Sequence, residues 1–263
     1  MTTSQERDQA AYLAELTANA MAAARSRLSQ AAAAAEAVDK ALHKGEADIA
    51  ELPGRANQVR YGEEPQPHLR NAQGIADKLD DWLRRRASEL DEARDHVDVG
   101  ARAIMTGRQS LGELEELPGQ RTEATEQLRH RLDGLDRAVR TAGEGIDRTT
   151  QLLRQARTSV EPLLYAAGSV NDRDRTAAMI TDVGSDLDSK VGKARGELRT
   201  LSEDLDGAQP NANVAAWQSE ELATALRAGM NPTPRSAQRT SDASSEQDRH
   251  RADAPARTPH LDL

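Results

Sequence analysis

Residues that commonly carry chemistry are sparse in this chain, and they lack the spacings of known catalytic sites. Cysteine is absent, which excludes thiol catalysis, disulfide bonds and Cys-ligated zinc. No histidine completes Glu-x-x-His, the spacing with which four-helix bundles bind two iron ions, or His-Glu-x-x-His. The phosphate-binding loop Gly-x-x-x-x-Gly-Lys-Ser/Thr and the hydrolase motif Gly-x-Ser-x-Gly are also absent. We therefore expect no enzymatic activity, no catalytic residues, no metal site and no cofactor.

The most basic segment is the triplet Arg84, Arg85 and Arg86. Consecutive arginines bind phosphate, so the triplet suggests a nucleic acid or a lipid headgroup as ligand. Asp80, Asp81 and three further acidic residues surround it, and the net charge of the chain is −9. The segment also lacks interleaved aromatic residues on which bases would stack. We expect ion pairs along the helix, and keep nucleic-acid or membrane-surface binding as a weaker hypothesis.

Arg86 occupies a position that the apolar pattern of its helix assigns to the core. One interpretation is a polar residue that sets the register of the helices by pairing with a carboxylate. The other is that its aliphatic stem packs inside while the guanidinium reaches solvent. The sequence leaves both open.

Two tryptophans are candidate anchors for a protein partner, because the chain has few aromatic residues and no phenylalanine. Trp82 precedes a core position, and Trp217 lies in the last predicted helix. Each tryptophan anchors a partner or fills the end of a helical bundle, and we favour the second interpretation.

Composition favours long helices over sheets. Charged residues make up 30% of the 263 residues and aromatic residues only 2%, whereas alanine, leucine, glutamate and arginine are abundant. Arginine outnumbers lysine, which together with the alanine content is typical of GC-rich genomes such as those of actinobacteria. No apolar stretch is long enough to span a bilayer, and no secretory signal is visible. We expect a cytoplasmic protein.

A seven-residue apolar repeat occurs in four segments and predicts four helices that share a narrow buried seam. The first segment contains Met21, Leu28, Ala35, Leu42 and Ile49; the second contains Leu69, Ala76, Leu83, Leu90, Val97, Ile104 and Leu111; the third contains Leu132, Val139, Ile146, Leu153 and Val160; the fourth contains Val191, Leu198 and Leu205. Because strands would alternate with period two, the repeat excludes a sheet.

Proline and glycine predict where these helices end. The tetrapeptide Glu-Leu-Pro-Gly occurs at residues 51–54 and 116–119, and we expect it to end the first and the second helix. Residues 54–67 are then a loop. Thr3 and Glu6 form a candidate capping box, and Asn171 or Asp172 is a candidate N-cap. Pro210 is expected to break the fourth helix into two.

These elements predict an all-α protein: an elongated antiparallel bundle or coiled coil of four long helices in residues 1–230. The alternative is two long hairpins, each of which needs a second copy to cover its seam, giving a homodimer or higher oligomer. Residues 231–263 are rich in Pro, Ser, Arg and Asp, and we expect this tail to be disordered. Its last residues include Leu261 and Leu263, which form either a short docking peptide or a chain end without function, and we favour the second interpretation.

Long alanine-rich hairpins also occur in substrates and chaperones of actinobacterial type VII secretion, whose signature includes Trp-x-Gly. Trp82 and Trp217 are not followed by that glycine, so only composition is shared and we assign no family.

Three functions fit the sequence. The first is a non-enzymatic scaffold or adaptor that joins unidentified protein partners. The second is an escort, chaperone-like or secretion-associated, that binds a specific client protein through its seam. The third is weak binding to nucleic acid or a membrane surface through Arg84–Arg86.

Overall fold

The computed structural model describes residues 4–166 and 170–229. Within these residues the chain forms four α-helices and no strand. Their bounds are Ser4–Tyr61 for α1, Pro65–Glu116 for α2, Glu123–Leu164 for α3 and Arg173–Arg227 for α4. At 1.5 Å per residue, α1 is about 85 Å long. The all-α prediction is confirmed.

The four helices form one closed antiparallel bundle. Each helix packs against the next one in the chain, and α1 packs against α4, which closes the ring. Ion pairs mark the antiparallel α1–α4 interface, where Glu15 pairs with Arg227 at one end and Arg60 pairs with Asp174 at the other. We call the end that holds Ser4 and Arg227 the proximal end, and the opposite end the distal end. A single chain therefore covers its own apolar seam.

The core consists of the residues that the seven-residue repeat predicts. All twenty residues named for the seven-residue repeat are buried, from Met21 in α1 to Leu205 in α4. Alanine occupies many of the remaining buried positions, especially toward the proximal end, where Ala10, Ala14, Ala212 and Ala215 are buried. Small side chains allow neighbouring helices to approach closely, toward the lower end of the usual 8–10 Å range.

The prediction that α1 ends at Leu52-Pro53-Gly54 is wrong. The helix continues through Pro53 to Tyr61, so most of the expected loop is helical, and only Gly62, Glu63 and Glu64 separate α1 from α2. Proline lacks an N–H group and costs one hydrogen bond inside a helix, but its φ angle is compatible with helix geometry. Ala56 and Val59 continue the buried stripe beyond the proline, and their burial offsets that loss.

The structure does not confirm the expected break in the fourth helix. Pro210 lies inside α4, which continues to Arg227. Buried alanines lie on both sides of the proline at Ala208 and Ala212. Arg131 of α3 donates hydrogen bonds to Asn211 and Gln218 across this stretch. Packing and cross-helix hydrogen bonds thus hold the helix together where local sequence predicts a break.

The other predicted turns are confirmed in position. α2 ends at Glu116, and Gly119 has a positive φ of 77°. Thr122 then caps α3 through a reciprocal pair of hydrogen bonds with Thr125. The predicted alternative Asp172 is the N-cap of α4, where its carboxylate accepts a hydrogen bond from the Arg175 N–H at 3.0 Å. The third helix ends at Leu164.

None of the four helices combines the length and apolar character that crossing a membrane requires, in the part of the chain that the structure describes.

Candidate functional site

Two of the three arginines of the triplet, Arg84 and Arg86, pair with acidic residues of their own helix. Arg84 is exposed and its guanidinium lies 2.6 Å from the Asp81 carboxylate. Arg85 is also exposed and donates a hydrogen bond to the Asp81 carbonyl oxygen at 3.3 Å. These contacts are the local pairings that the sequence predicts. They leave less positive charge for phosphate than three free guanidinium groups would offer.

Arg86 fits the second of the two interpretations that the sequence left open, in which the stem packs inside and the guanidinium reaches the surface. Its side chain is about one-fifth exposed, and Nη1 lies 2.7 Å from a Glu89 carboxylate oxygen one turn later on α2. The Nε atom is buried without a hydrogen-bond partner, so the stem packs inward while the end of the guanidinium pairs at the surface. The residue pairs within its own helix and makes no ion pair across the bundle.

Trp82 does not fill the end of the bundle, contrary to expectation. It lies within α2 far from either end, and its indole covers Gly45 of α1 so closely that a Cβ atom there would overlap the ring. The ring is half-buried and packs against the core. Its position is explained by packing, because the absence of a side chain at Gly45 creates the space that the indole occupies.

Trp217 is the candidate that most resembles a surface anchor, and it does not fill the bundle end either. It is 44% exposed and lies ten residues before the last residue of α4. Pro210 and Val214 precede it by seven and three residues, which places them on the same helix face. The three residues form a small apolar patch near the proximal end, which we call the Trp217 patch.

The remaining candidates, Leu261 and Leu263, lie outside the described residues, as does Thr3 of the expected capping box. The expected disorder of the tail concerns the same undescribed part of the chain.

Three exposed tyrosines were not selected as candidates from the sequence. Tyr12 is 59% exposed near the proximal end, and Tyr61 and Tyr165 are 77% and 83% exposed at the distal end. Sequence reasoning placed Tyr61 in a loop, because it ended α1 at Pro53. With Trp217, these residues place exposed aromatic side chains at or near both ends of the bundle. Exposed aromatic residues are common anchors in protein interfaces.

Ion pairs between helices occur along the length of the bundle. Arg195 of α4 reaches two carboxylates of α1, with Nε 2.9 Å from Asp39 and Nη1 2.5 Å from Glu46. Partial burial raises the pKa of Glu46, but hydrogen bonds from Arg195 and His43 outweigh it, so the pKa lies below its ordinary value. This cluster ties the two helices whose contact closes the bundle.

A serine, a lysine and an aspartate form a second cluster between α3 and α4. Lys190 Nζ lies 2.6 Å from both Ser159 Oγ and an Asp186 oxygen, and Ser159 donates to the same oxygen at 2.5 Å. The hydrogen bonds from Lys190 and Ser159 hold the pKa of Asp186 below its ordinary value. The cluster links α3 to α4 through the hydrogen bonds of Ser159 with Lys190 and Asp186.

Depressions on the described surface are open grooves between helices. One groove of about 500 Å³ lies at the proximal end and includes Arg7, Tyr12 and Glu15 of α1 and Arg227 of α4. A groove of about 330 Å³ between α2 and α3 lies beside Arg94 and Gly143. Among the described residues, no group of three or more histidines or carboxylates is placed to hold a metal ion.

Comparison with known proteins finds no matching protein-family model, no matching curated protein and no matching solved structure.

Proposed function

We propose that this protein is a non-enzymatic helical scaffold that holds protein partners apart at the two ends of a rod. The observation that carries the proposal is the location of the exposed aromatic side chains, with Tyr12 and Trp217 near one end and Tyr61 and Tyr165 at the other. Along α1, Tyr12 and Tyr61 lie about 74 Å apart at 1.5 Å per residue. Ion pairs such as Arg195 with Glu46 link the helices and favour a fixed separation.

The closed seam weighs against the escort hypothesis. A client that binds through the seam needs an apolar stripe that its own helix can cover, but here α1 and α4 already cover one another. Leu28, Leu90 and Leu153 are fully buried within the single chain. An escort would therefore have to open the bundle before it bound its client.

Binding to nucleic acid or a membrane surface remains the weakest of the three hypotheses. Asp81 and Glu89 pair with residues of the arginine triplet, and the net charge of −9 repels phosphate. The cytoplasmic location and the number of subunits stay predictions from the sequence.

The experiment that tests the scaffold hypothesis compares two end variants in the native host. We would purify the N-terminally tagged full chain and quantify co-purifying proteins by mass spectrometry. Tyr12→Ala/Trp217→Ala alters the proximal end, and Tyr61→Ala/Tyr165→Ala alters the distal end. Met105→Ala is the matched control, because Met105 is 63% exposed on the side of α2.

A scaffold predicts that each end variant loses a different stoichiometric partner, while the Met105→Ala control retains both. The same partners at unchanged amounts in both end variants would contradict the hypothesis. Loss of a client together with a gain of helicity when client and protein are mixed would favour the escort instead.

A further inference from the structure

Every helix of the bundle carries a proline or a glycine at one level near the distal end. These residues are Pro53 in α1, Gly74 in α2, Pro162 in α3 and Gly184 in α4, and we call them the joint layer. Proline removes a helix hydrogen bond, and glycine weakens a helix because its backbone is freer in the unfolded state.

Contacts across the bundle show that these four residues share a level. A methyl group placed on Gly184 would lie 3.2 Å from Leu52 Cβ and 3.8 Å from Pro53 Cδ, so α1 and α4 meet there. Gln73 Nε2 donates to the carbonyl oxygen of Leu163 at 3.4 Å, which joins the neighbours of Gly74 and Pro162.

The registers of the α1–α2 and α3–α4 interfaces also place these four residues at one level. Trp82 covers Gly45, and eight residues further along α1 the antiparallel register places Pro53 level with Gly74. Ser159 Oγ lies 2.5 Å from an Asp186 oxygen, and three residues further along α3 the register places Pro162 beside Val183 and Gly184. The joint layer therefore crosses the whole bundle.

The part beyond the joint layer contains little of α3. We define the distal segment as residues 54–73 and 173–183. Its buried apolar residues are Ala56, Val59, Leu69, Ala72, Ala177, Ile180 and Val183. Because α3 ends at Leu164, only two residues past Pro162, most of the distal segment is built from three helices rather than four, which leaves less apolar surface for its residues to pack against. Regions with little apolar burial open at a lower free energy than the core of the same protein.

We propose that the distal segment opens as one unit about the joint layer while the rest of the bundle stays folded. This conformational device is separate from the scaffold hypothesis, since it requires no partner. It differs from ordinary fraying, in which protection decreases gradually toward a helix end. Opening about a joint instead produces a step in protection at the level of the joint layer.

Amide hydrogen exchange of the full chain, followed by mass spectrometry, tests the proposal. We expect protection in the distal segment to be about tenfold lower than in residues 31–45 and 191–205 of the same helices, with a step at Pro53 and Gly184. A gradual decrease without a step would overturn the proposal.

A double variant and a matched control show whether the joint layer causes the step. Pro53→Ala/Gly74→Ala restores a donor in α1 and stiffens α2, and there is open space for the new Cβ at Gly74. Pro210→Ala/Gly112→Ala makes the same two kinds of change at positions far from the layer, and the Cβ at Gly112 is also unobstructed.

We expect the joint variant to raise protection of the distal segment about tenfold and the control to leave it unchanged. Circular dichroism checks that both variants keep the helical content of the parent. Equal protection of the distal segment in the joint variant and the parent would overturn the proposal.

Discussion

The tetrapeptide Glu-Leu-Pro-Gly occurs twice in this chain and adopts two different structures. At residues 51–54 it lies inside α1, and at residues 116–119 it ends α2. In the second copy the Gln120 N–H donates to the Leu117 carbonyl at 3.1 Å, and Gly119 has φ 77°, as in a type II turn with proline and glycine at its centre. The first copy has the same residues and remains helical.

The difference between the two copies comes from the residues on their C-terminal side. Ala56 and Val59 continue the buried stripe after the first copy, so an extended helix buries more apolar surface than a turn would. After the second copy come Gln120, Arg121 and Thr122, which offer nothing to bury and provide an N-cap for α3. Proline and glycine permit a turn, but the apolar pattern beyond them decides whether it forms.

The largest expected effect comes from removing a buried apolar side chain that keeps α1 helical beyond the first Glu-Leu-Pro-Gly. Val59→Asp places an unpaired charge in the core at a cost of about 3–5 kcal/mol. We expect residues 54–61 to leave the helix and to exchange their amide hydrogens at rates close to those of an unfolded chain. Gln58→Asp puts the same charge on the exposed face and is the control. Full protection of residues 54–61 in Val59→Asp would refute the role of burial.

Replacing the two prolines is expected to change stability in opposite directions. Pro53→Ala restores a helix hydrogen bond and is expected to stabilise the protein by about 1–2 kcal/mol, below the full cost of proline in a helix because alanine loses more chain entropy on folding. Pro118→Ala restores no helix bond and is expected to destabilise by about 0.5 kcal/mol through the same entropy effect. Urea unfolding of both variants measures the difference. If the free energy of unfolding changed in the same direction in both variants, the claim that the two copies have different structures would be contradicted.

The two glycines of the tetrapeptides provide a parallel test. Gly119→Ala forces a side chain into the left-handed region and is expected to cost about 1–2 kcal/mol. Gly54 lies in α1 with open space where a Cβ would be, so Gly54→Ala is expected to stabilise by about 0.5–1 kcal/mol. Thermal melting of the two variants should therefore shift in opposite directions. If Gly54→Ala destabilised as much as Gly119→Ala, the first copy would be a turn.

The smallest effect concerns the charges that join α1 to α4. The pKa of Glu46 is lowered in the folded protein, so its contribution to stability is present above its unfolded pKa and is lost as the pH falls through the folded pKa. Arg195→Gln is therefore expected to lower the melting temperature at pH 7 and to have a smaller effect below about pH 4. Arg199→Gln, elsewhere on α4, is the control. An effect of Arg195→Gln that is independent of pH would contradict the ion pair.

The seven-residue repeat predicted the core because it depends only on which residues recur on one face. It placed Leu42, Leu90 and Leu153 inside, and all three are fully buried. Whether the helix continues through Pro53 could not be predicted from neighbouring residues, since it depends partly on packing against Gly184 of α4, which is 131 positions away in the sequence. That error hid the exposed position of Tyr61 at the distal end, because a helix ending at Leu52 leaves Tyr61 in a loop.

The central claim is that one chain closes its own bundle through the contact of α1 with α4. Because the chain lacks cysteine, Lys44→Cys/Lys193→Cys allows spin labels to be attached at two exposed positions, one on each of these helices. Electron–electron double resonance is then measured after dilution with unlabelled protein, so that only pairs within one chain contribute. A closed bundle predicts one narrow distribution on the order of 20–30 Å, set by adjacent helices and the length of two labels. A broad distribution at longer distances, or a short distance that disappears on dilution, would contradict the closed bundle.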